Sequence, residues 1–387
     1  MINKFTFQPV GQGLFYTGQL GCDYFYLRDS RYNFIFDCGS LSGDNSLHSS
    51  IDNFLVSLHG QDIDLCVISH LHIDHYNGLE FLLRNTNVKK ILLPYLPDNK
   101  MVRFAVLAGQ FIDANKKKIE EDENSMLNLK ILANLYGIDE RRYIDGHRPY
   151  VIFCEEKLEY QSDNGTQNFR SRVKDGCIEI YWGIECYNKT LSNEKWQYLS
   201  EKIIALLKEE GFEDISQMLN YDTSSLHKIA EIYSKVFKQQ NTTSIVIKHY
   251  PVLDSVGIYP NHPCKLPLYL PYKKMWYYDN YVELFGKRNK NISVLTGDIE
   301  FDESLRKVVF NDFRGINVLQ LPHHGSAKNW KLLKLPKLFS GKCIASFGLG
   351  NRYCHPDIET INGLKEYMDA DLIEVNQNRR YEYLILD

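Results

Sequence analysis

The feature that most constrains this chain is the segment SHLHIDHYNG, residues 69–78, which places three histidines and one aspartate within six residues. Only 12 histidines occur among the 387 residues, so such a cluster would rarely arise by chance. It follows directly after IDLCVIS, residues 63–69, a nearly continuous apolar run typical of a strand that is buried on both faces. The cluster is therefore expected just after a buried strand, where α/β sheets collect their functional sites.

The side chains of this cluster are those that bind divalent metal ions. Imidazole and carboxylate groups are the usual ligands of Zn²⁺ and of similar ions. Positions i and i+2 of an extended segment point the same way, so His70 and His72 are predicted to hold one ion together. Asp74 and His75 are predicted to reach a second ion, roughly 3.5–4 Å from the first. Two ions at that separation can share a hydroxide and stabilise a substrate oxyanion.

Such a centre needs a bridging carboxylate and at least one more histidine, and the second half of the chain supplies both. Asp298 ends the apolar run ISVLTGD, whereas His323 and His324 follow the run INVLQL. Each group arrives from a separate predicted strand, as ligands at one sheet edge should. An N-capping or turn role for Asp298 and a metal-free substrate contact for the histidine pair are the alternatives.

Apolar patterning divides the chain into three parts. Residues 1–100 alternate short apolar strands with helical patterns, which is typical of an α/β fold. Residues 101–240 carry amphipathic helical stripes and a strand-rich stretch over residues 151–183. They are predicted to be a mostly helical insertion that serves as a lid, a dimerisation element or a docking surface for a partner. Strand patterns resume over residues 241–387, so residues 1–100 and 241–387 are predicted to form one domain. The first predicted strands are FTFQPV (5–10), DYFYLR (23–28) and YNFIFD (32–37).

Composition limits the partners and the compartment. A formal net charge of -4 provides no global positive field and argues weakly against a long duplex substrate, which needs many phosphate contacts. No apolar run reaches transmembrane length, and the first residues lack the apolar core of a signal peptide. The nine cysteines are odd in number and contain no C-x-x-C pair. We therefore expect a cytoplasmic protein without a membrane partner.

These motifs together resemble the metallo-β-lactamase superfamily, whose signature is H-x-H-x-D-H after a buried strand. The narrower resemblance is to the β-lactamase-like domain of the bacterial DNA-uptake channel ComEC and its soluble relatives. It covers roughly residues 1–96 and 241–387 and implies an αββα sandwich of the α/β class. Six further segments carry it: PVGQG (9–13), FDCG (36–39), NTTS (241–244), LTGD (295–298), LPHHGS (321–326) and SFGLGNRYCHP (346–356).

The resemblance implies roles for the candidate site residues. Asp74 would orient the attacking hydroxide, and His323 or His355 would protonate the leaving group or contact a phosphate oxygen. A structural loop histidine before Pro356 is the alternative for His355. The implied metal ligands are His70, His72, Asp74, His75, Asp298 and His324, and the implied substrate contacts are Ser326, Asn351 and Tyr353.

The chain departs from the superfamily pattern at the first metal site. The third histidine that usually completes this site would fall near the NTTS segment, where Asn241 or Ser244 would substitute for it. His249 lies nearby but is expected further down the strand. The first ion is therefore predicted to be weakly held, openly coordinated or absent.

The predicted function is that of a metal-dependent hydrolase with a hydroxide activated by two divalent ions. Phosphodiesterase or nuclease activity is favoured, Zn²⁺ is the expected ion, and Mn²⁺ and Fe²⁺ suit the same ligands. The alternatives are a carbonyl hydrolase of the lactonase or β-lactamase type and a binding or regulatory module without turnover. Retention of Asp74 and Asp298 argues against the module. An effector role in anti-phage defence is suggested only by the systems in which such domains occur, not by residues of this chain.

Overall fold

Two facing β-sheets with helices on both outer surfaces form the frame of the molecule. The computed structural model describes residues 2–22, 30, 32–96, 98–114, 130–137, 149–154, 182–188, 193–212, 223–236, 244–251, 276–277, 280–285, 291–311, 313–335, 339, 341–367 and 370–386.

The first sheet has nine strands in the described part of the chain. They are β1 (Ile2–Phe7), β2 (Gly13–Cys22), β3 (Tyr32–Ser40), β4 (Leu65–Val67), β5 (Lys90–Leu93), β6 (Tyr150–Phe153), β9 (Trp276–Tyr277), β10 (Asn280–Phe285) and β15 (Tyr381–Leu386). Their spatial order is β6-β5-β4-β3-β2-β1-β15-β10-β9. Strands β3 to β6 pair in parallel, whereas β1 pairs antiparallel with β2 and β15, and β2 pairs antiparallel with β3.

The second sheet has six strands among the described residues, in the order β14-β13-β12-β11-β8-β7. They are β7 (Trp182–Asn188), β8 (Ile245–Pro251), β11 (Ile292–Leu295), β12 (Ile316–Gln320), β13 (Lys342–Ser346) and β14 (Asp371–Val375). Strands β11 to β14 are parallel, so their carboxyl ends share one edge, and β8 runs antiparallel to both of its neighbours.

Helices cover the outer faces of both sheets. They are α1 (Asp44–Ser57), α2 (Ile73–Tyr76), α3 (Leu79–Asn85), α4 (Lys100–Ala114), α5 (Asn193–Glu210), α6 (Thr223–Val236), α7 (Glu303–Val309), α8 (Ala327–Leu333) and α9 (Ile358–Tyr367), and residues 130–135 are also helical. Within the described ranges, no helix combines the length and apolar character needed to cross a bilayer.

Apolar side chains fill three layers, and this arrangement confirms the predicted αββα sandwich. Side chains such as Phe5, Phe34 and Trp182 fill the space between the sheets. Burying each of these large rings stabilises the fold by roughly 1.5–3 kcal/mol. Helices α1, α3, α4, α5 and α6 pack on the outer face of the first sheet, and α7, α8 and α9 pack on the outer face of the second.

One strand of the first sheet differs from the sequence-based expectations. The ten-residue strand β2 is not among the predicted strands, because its glycines at 13, 18 and 21 interrupt the apolar pattern. The predicted strand DYFYLR (23–28) lies outside the described residues. In the insertion, β6 and β7 lie at the two ends of the predicted strand-rich stretch. There β6 pairs with β5 and β7 pairs with β8, so this region contributes a strand to each sheet as well as helices. The boundaries at residues 100 and 241 stay a prediction.

Candidate metal centre

The predicted ligands meet at one edge of the sandwich. The segment from Ser69 to His75 follows β4, Asp298 follows β11, and His324 follows β12. The backbone N–H of Ile245 donates to the carbonyl of Ser69 (2.7 Å), which ties the two sheets together at this edge. Strand ends of both sheets thus bring together side chains that are more than 200 residues apart in sequence.

Two overlapping groups of ligand atoms occupy this edge. His70, His75 and Asp298 form one group, and Asp74, His75 and His324 form the other, with the ligand atoms of each group within 4.8 Å of one another. All five side chains are buried. The Nε2 atoms of the three histidines and Oδ1 of Asp298 have no hydrogen-bond partner among the described residues. Buried polar atoms are normally satisfied, so this convergence fits a metal centre.

The carboxylate of Asp298 lies between two histidines of the first group. Its Oδ1 lies 3.4 Å from Nε2 of His75, and its Oδ2 lies 3.8 Å from Nε2 of His70. On the far side of His75, Asp74 Oδ2 lies 3.4 Å from Nε2 of His324. Each oxygen of Asp298 thus lies near a different histidine of the first group, and its bridging role stays a prediction.

Asp37 and Ser69 fix the orientation of two of these imidazoles. Nδ1–H of His75 donates to Oδ2 of Asp37 (2.7 Å), and the Ser69 hydroxyl donates to the same oxygen (2.7 Å). Since the hydroxyl proton is committed to Asp37, the Ser69 oxygen accepts from Nδ1–H of His70 (2.9 Å). In each ring Nε2 is therefore the nitrogen that would bind an ion once it is unprotonated, as in the carboxylate–histidine–metal arrangement.

His324 is oriented by the backbone instead. Its Nδ1–H donates to the carbonyl of Ser346 (2.6 Å), which again leaves Nε2 as the free lone pair. His323, His324 and Asp37 have φ values of 50°, 55° and 59°, in the left-handed region that non-glycine residues rarely adopt. Backbone strain of this kind persists where the surrounding structure enforces it and is concentrated at functional sites.

The charges in the cluster are mutually dependent. Burial by itself raises the pKa of Asp298, but the positive charges of His323 and His75 outweigh it and hold that pKa well below its ordinary value. Burial lowers the pKa of His75, but the carboxylates of Asp298 and Asp37 raise it well above its ordinary value. For His70, burial and the charge of His75 both lower the pKa. A protonated ligand must release its proton before it can bind an ion.

Gln320 holds the turn that presents Asp298. Its Oε1 accepts from the backbone N–H groups of Thr296 (2.8 Å) and Gly297 (2.9 Å), and its Nε2 donates to the carbonyl of Leu321 (3.2 Å). Gly297 has a φ of 53°, and a Cβ there would lie 2.8 Å from the Ser69 hydroxyl. Only glycine therefore lets this turn approach the histidine segment so closely.

Two glycines allow a similar approach behind Asp74. A Cβ on Gly39 would lie 2.4 Å from the backbone nitrogen of His75, and a Cβ on Gly13 would lie 2.6 Å from the carbonyl oxygen of Asp74. These are the closing glycines of the FDCG and PVGQG segments. Their role in this structure is to let two strands of the first sheet pack against the ligand-bearing turn.

Two predicted residues lie beside the groups rather than in them. His72 belongs to neither group of candidate ligands in the described part of the chain, although its ring centroid is 4.6 Å from that of His70. Its metal-ligand role stays a prediction. The backbone N–H of His323 donates to the carbonyl of Gly297 (3.2 Å), so His323 lies on the Asp298 side of the cluster.

The expected substitutes for the missing histidine are only partly described. Asn241 lies outside the described residues. The Ser244 hydroxyl is buried and has no partner in the described structure, and Ser244 directly precedes the Ile245 that bonds to Ser69. His249 lies further down β8, as expected, where its Nε2 meets the Tyr16 hydroxyl at 2.8 Å inside the sandwich.

Ser326 and Asn351, which were predicted to contact the substrate, are engaged within the protein. The Ser326 hydroxyl accepts from the N–H of Asn329 as the N-cap of α8 and donates to the Asn329 side chain (2.8 Å). Asn351 donates to the carbonyls of Gly348 and His355 and accepts from the N–H groups of Tyr353 and His355. Both therefore shape the rim of the site, and their predicted contacts with substrate stay predictions.

Asp37 belongs to the FDCG segment that the sequence singles out, whereas Ser69 and Gln320 were not predicted to support the site. Both left a signal. Ser69 directly precedes the first histidine at a strand end, and Gln320 is a polar residue inside the otherwise apolar run INVLQL. A buried polar residue in an apolar strand needs hydrogen-bond partners, which in this protein are the neighbouring turns.

Comparison with known proteins adds one informative match. Residues 17–127 match the family model of the metallo-β-lactamase superfamily, a span that includes the H-x-H-x-D-H segment. No curated protein matches the chain. Among solved structures, MEM-A1, a subclass B3 metallo-β-lactamase from a soil metagenome library, is 13% identical with a TM-score of 0.20, over 48% of this chain and 58% of that chain. This chain thus spans less than two thirds of that lactamase. The family-model match, which covers less than half of the chain, shows that residues 17–127 are similar to the metallo-β-lactamase superfamily, and the convergent histidine and aspartate side chains could hold a metal ion.

Proposed function

We propose that this protein is a metal-dependent phosphodiesterase with two divalent ions held at the candidate metal centre. The observation that carries the proposal is the convergence of buried histidine nitrogens on a carboxylate with two diverging oxygens. When bound, two divalent ions would lower the pKa of water and stabilise developing negative charge. Zn²⁺ is the proposed ion, because imidazole and carboxylate oxygen are its ordinary ligands.

The two ions would have unequal sets of protein ligands. Asp74, His75 and His324, with one oxygen of Asp298, would hold the second ion. The first ion would have His70 and the other oxygen of Asp298, with His72 as its further proposed ligand. His75 can serve only one ion, because Asp37 engages its Nδ1 and leaves Nε2 alone. The first site is therefore proposed to be the more weakly bound and more open to substrate.

His355 and His323 would serve the reacting group from the rim. Burial and the charge of His323 lower the pKa of His355, so its ring is neutral at neutral pH. A neutral imidazole donates a hydrogen bond to a phosphate oxygen better than it delivers a whole proton. We therefore assign leaving-group protonation to His323 and phosphate binding to His355.

The rim of the candidate metal centre favours a phosphodiester over a carbonyl substrate. The exposed guanidinium of Arg352 lies in the same loop as His355 and adds positive charge where an anionic substrate would enter. The resemblance of the late motifs to the ComEC-type domain points the same way. A neutral lactone would gain nothing from this positive charge.

The proposal is tested by turnover of bis-p-nitrophenyl phosphate, with and without Zn²⁺ or Mn²⁺, alongside metal content by mass spectrometry. We expect metal-dependent cleavage by the wild type and its loss in Asp74→Ala. Asp62→Ala, which changes a surface aspartate that pairs with Lys89, is the matched control and should retain cleavage. If the wild type held two ions but cleaved only carbonyl esters, the substrate class would be carbonyl compounds and not phosphodiesters. If the protein bound no ion, the proposal would be refuted.

A further inference from the structure

We infer that Tyr353 and Arg352 form a stacking platform for a nucleobase beside the metal centre, so that the substrate is a nucleic acid whose bases are unpaired. This inference rests on the proposed function, because a base reaches this loop only when a neighbouring phosphodiester occupies the centre. It names the substrate class and two specificity-determining residues that the phosphodiesterase chemistry alone does not require.

The first argument is a continuous series of rings that leads outward from the ligands. The ring centroid of His323 is 6.1 Å from that of His324 and 5.6 Å from that of His355. The ring of Tyr353 then stacks on His355 at 6.1 Å with an interplanar angle of 14°. The guanidinium of Arg352 lies over the Tyr353 ring at 4.9 Å. Planar groups therefore extend from the reacting centre to the surface without a break.

The second argument is the exposure of Tyr353. Its side chain is 45% exposed, whereas Tyr16, Tyr76 and Tyr383 are buried in the cores of the sandwich. Tyr150 and Tyr198 are exposed as well, so what distinguishes Tyr353 is that its accessible ring also stacks on a histidine of the site, where a base could reach it. The arginine above it is also a good stacking group, since its guanidinium is planar and weakly hydrated.

The third argument is that the loop is built to hold this ring in place. Oδ1 of Asn351 accepts from the backbone N–H of Tyr353 (3.1 Å) and from that of His355 (3.1 Å). Nη2 of Arg352 donates to the Tyr353 hydroxyl (2.6 Å). Asn351 thus fixes the spacing between the phosphate-binding imidazole and the stacking ring. A preorganised ring loses little entropy when a base stacks on it.

The charge of the protein explains why stacking would be needed. A net charge of -4 gives the chain no global positive field, and a duplex relies on many phosphate contacts for its affinity. Bases of a single strand are free to stack on aromatic rings, and each stacked base adds to the affinity. Paired bases inside a duplex cannot reach the platform, so the platform selects for single strands.

The test measures binding and stacking directly. A short single-stranded oligonucleotide with cleavage-resistant phosphorothioate linkages carries one 2-aminopurine, whose fluorescence falls when the base stacks on an aromatic ring. We expect Tyr353→Ala to weaken binding by about 5- to 100-fold, in line with the loss of one stacked base, and to abolish the quenching. Tyr353→Phe should retain both, because phenylalanine stacks equally well.

The chain offers a matched control for the tyrosine. Tyr198 on α5 is 51% exposed and has the ammonium of Lys202 over its ring at 5.3 Å, so it presents the same kind of cation–aromatic pair away from the centre. Tyr198→Ala should bind the oligonucleotide as the wild type does. A strand of the same length with abasic sugars should bind the wild type as weakly as the intact strand binds Tyr353→Ala.

The outcomes separate this inference from the proposed function. Equal binding of intact and abasic strands, unchanged affinity in Tyr353→Ala, or no binding of any strand would each overturn the platform. Metal-dependent turnover of bis-p-nitrophenyl phosphate by the wild type in the same experiment would then leave the phosphodiesterase standing. Absence of that turnover would remove the function on which the platform depends.

Discussion

Two regions of this protein bury a histidine to the same degree and have opposite effects on its pKa. His75, at the edge of the sandwich, and His249, between the sheets, are both fully buried. Burial lowers the pKa of His75, but the carboxylates of Asp298 and Asp37 raise it well above its ordinary value. Burial alone lowers the pKa of His249 to about 3. Burial therefore disfavours the charged imidazole in both places, and the neighbouring charges determine whether the pKa ends above or below its ordinary value.

The surroundings of His249 explain why it stays neutral. Its ring lies 4.9 Å from that of Phe5, 5.3 Å from that of Phe34 and 5.9 Å from that of Trp182. Its hydrogen bond is to the hydroxyl of Tyr16, which in turn meets the hydroxyl of Tyr383 at 2.7 Å. An aromatic shell with neutral partners offers no compensation for a charge, so the interior histidine has a structural role.

The largest expected effect comes from removing Asp298, the carboxylate proposed to bridge the two ions. Asp298→Ala should lower metal-dependent turnover by more than about 100-fold, since changes outside the ligand shell already cost 10- to 100-fold. Metal content should fall in parallel. Asp302→Ala is the matched control: Asp302 caps α7 four residues later, so its loss should affect stability but not metal content. Full metal content in Asp298→Ala would remove this carboxylate from the centre.

A smaller effect is expected from changing Asp37, the carboxylate that accepts a hydrogen bond from Nδ1–H of His75. Asp37→Asn keeps the shape but loses the charge that orients His75, and we expect metal affinity to fall by about 10- to 100-fold. Competition with a chelator measures this change. Asp64→Asn, which affects an aspartate paired with Lys89 on the same sheet, should leave the affinity unchanged. Equal affinities in Asp37→Asn and the wild type would show that the edge histidines need no such support.

His249, the interior histidine, leads to a prediction about how the free energy of unfolding depends on pH. Because the folded pKa of His249, about 3, lies below the unfolded value of 6.5, the unfolded chain takes up the proton first as the pH falls. Its contribution is therefore complete above pH 6.5 and is lost progressively towards pH 3. Between pH 7 and pH 5, the free energy of unfolding of the wild type should fall by about 2 kcal/mol more than that of His249→Phe.

Urea denaturation at both pH values measures this difference. The edge histidines titrate in the wild type and in His249→Phe alike, so their contributions cancel. Parallel losses of stability in the two proteins would mean that His249 is able to take up a proton in the folded state. The contrast between the two regions would then fail.

The smallest expected effect concerns Ser326, a residue at the rim of the site whose hydroxyl makes its hydrogen bonds within the protein. Ser326→Ala removes the N-cap of α8 and should lower the free energy of unfolding by about 1 kcal/mol. Ser326→Thr keeps a capping hydroxyl and should be close to the wild type in stability. A rise in KM for the phosphodiester in Ser326→Ala, restored by the threonine variant, would instead support the substrate contact predicted from the sequence.

Much of the site could be predicted from the sequence because its residues sit at the ends of recognisable strands. The runs before His70, Asp298 and His324 are apolar and short, so their polar ends stood out. Gln320 and Ser69 were missed, because what they do depends on turns that are distant in sequence. Strand β2 was missed because its glycines serve close packing rather than turns: a Cβ at Gly18 would lie 2.3 Å from the ring of Phe34.

The sequence by itself determined which donor atoms this protein has and that each follows a strand, because burial pattern and ligand spacing are local properties of the chain. It could not determine which histidines meet carboxylates. His75 lies 38 residues from Asp37 and 223 residues from Asp298, and only the pairing of strands brings these groups within 3.4 Å of its ring nitrogens. Electrostatic effects act through space rather than along the chain, so only the tertiary structure decided that His75 faces a candidate metal centre while His249 stays neutral in the core.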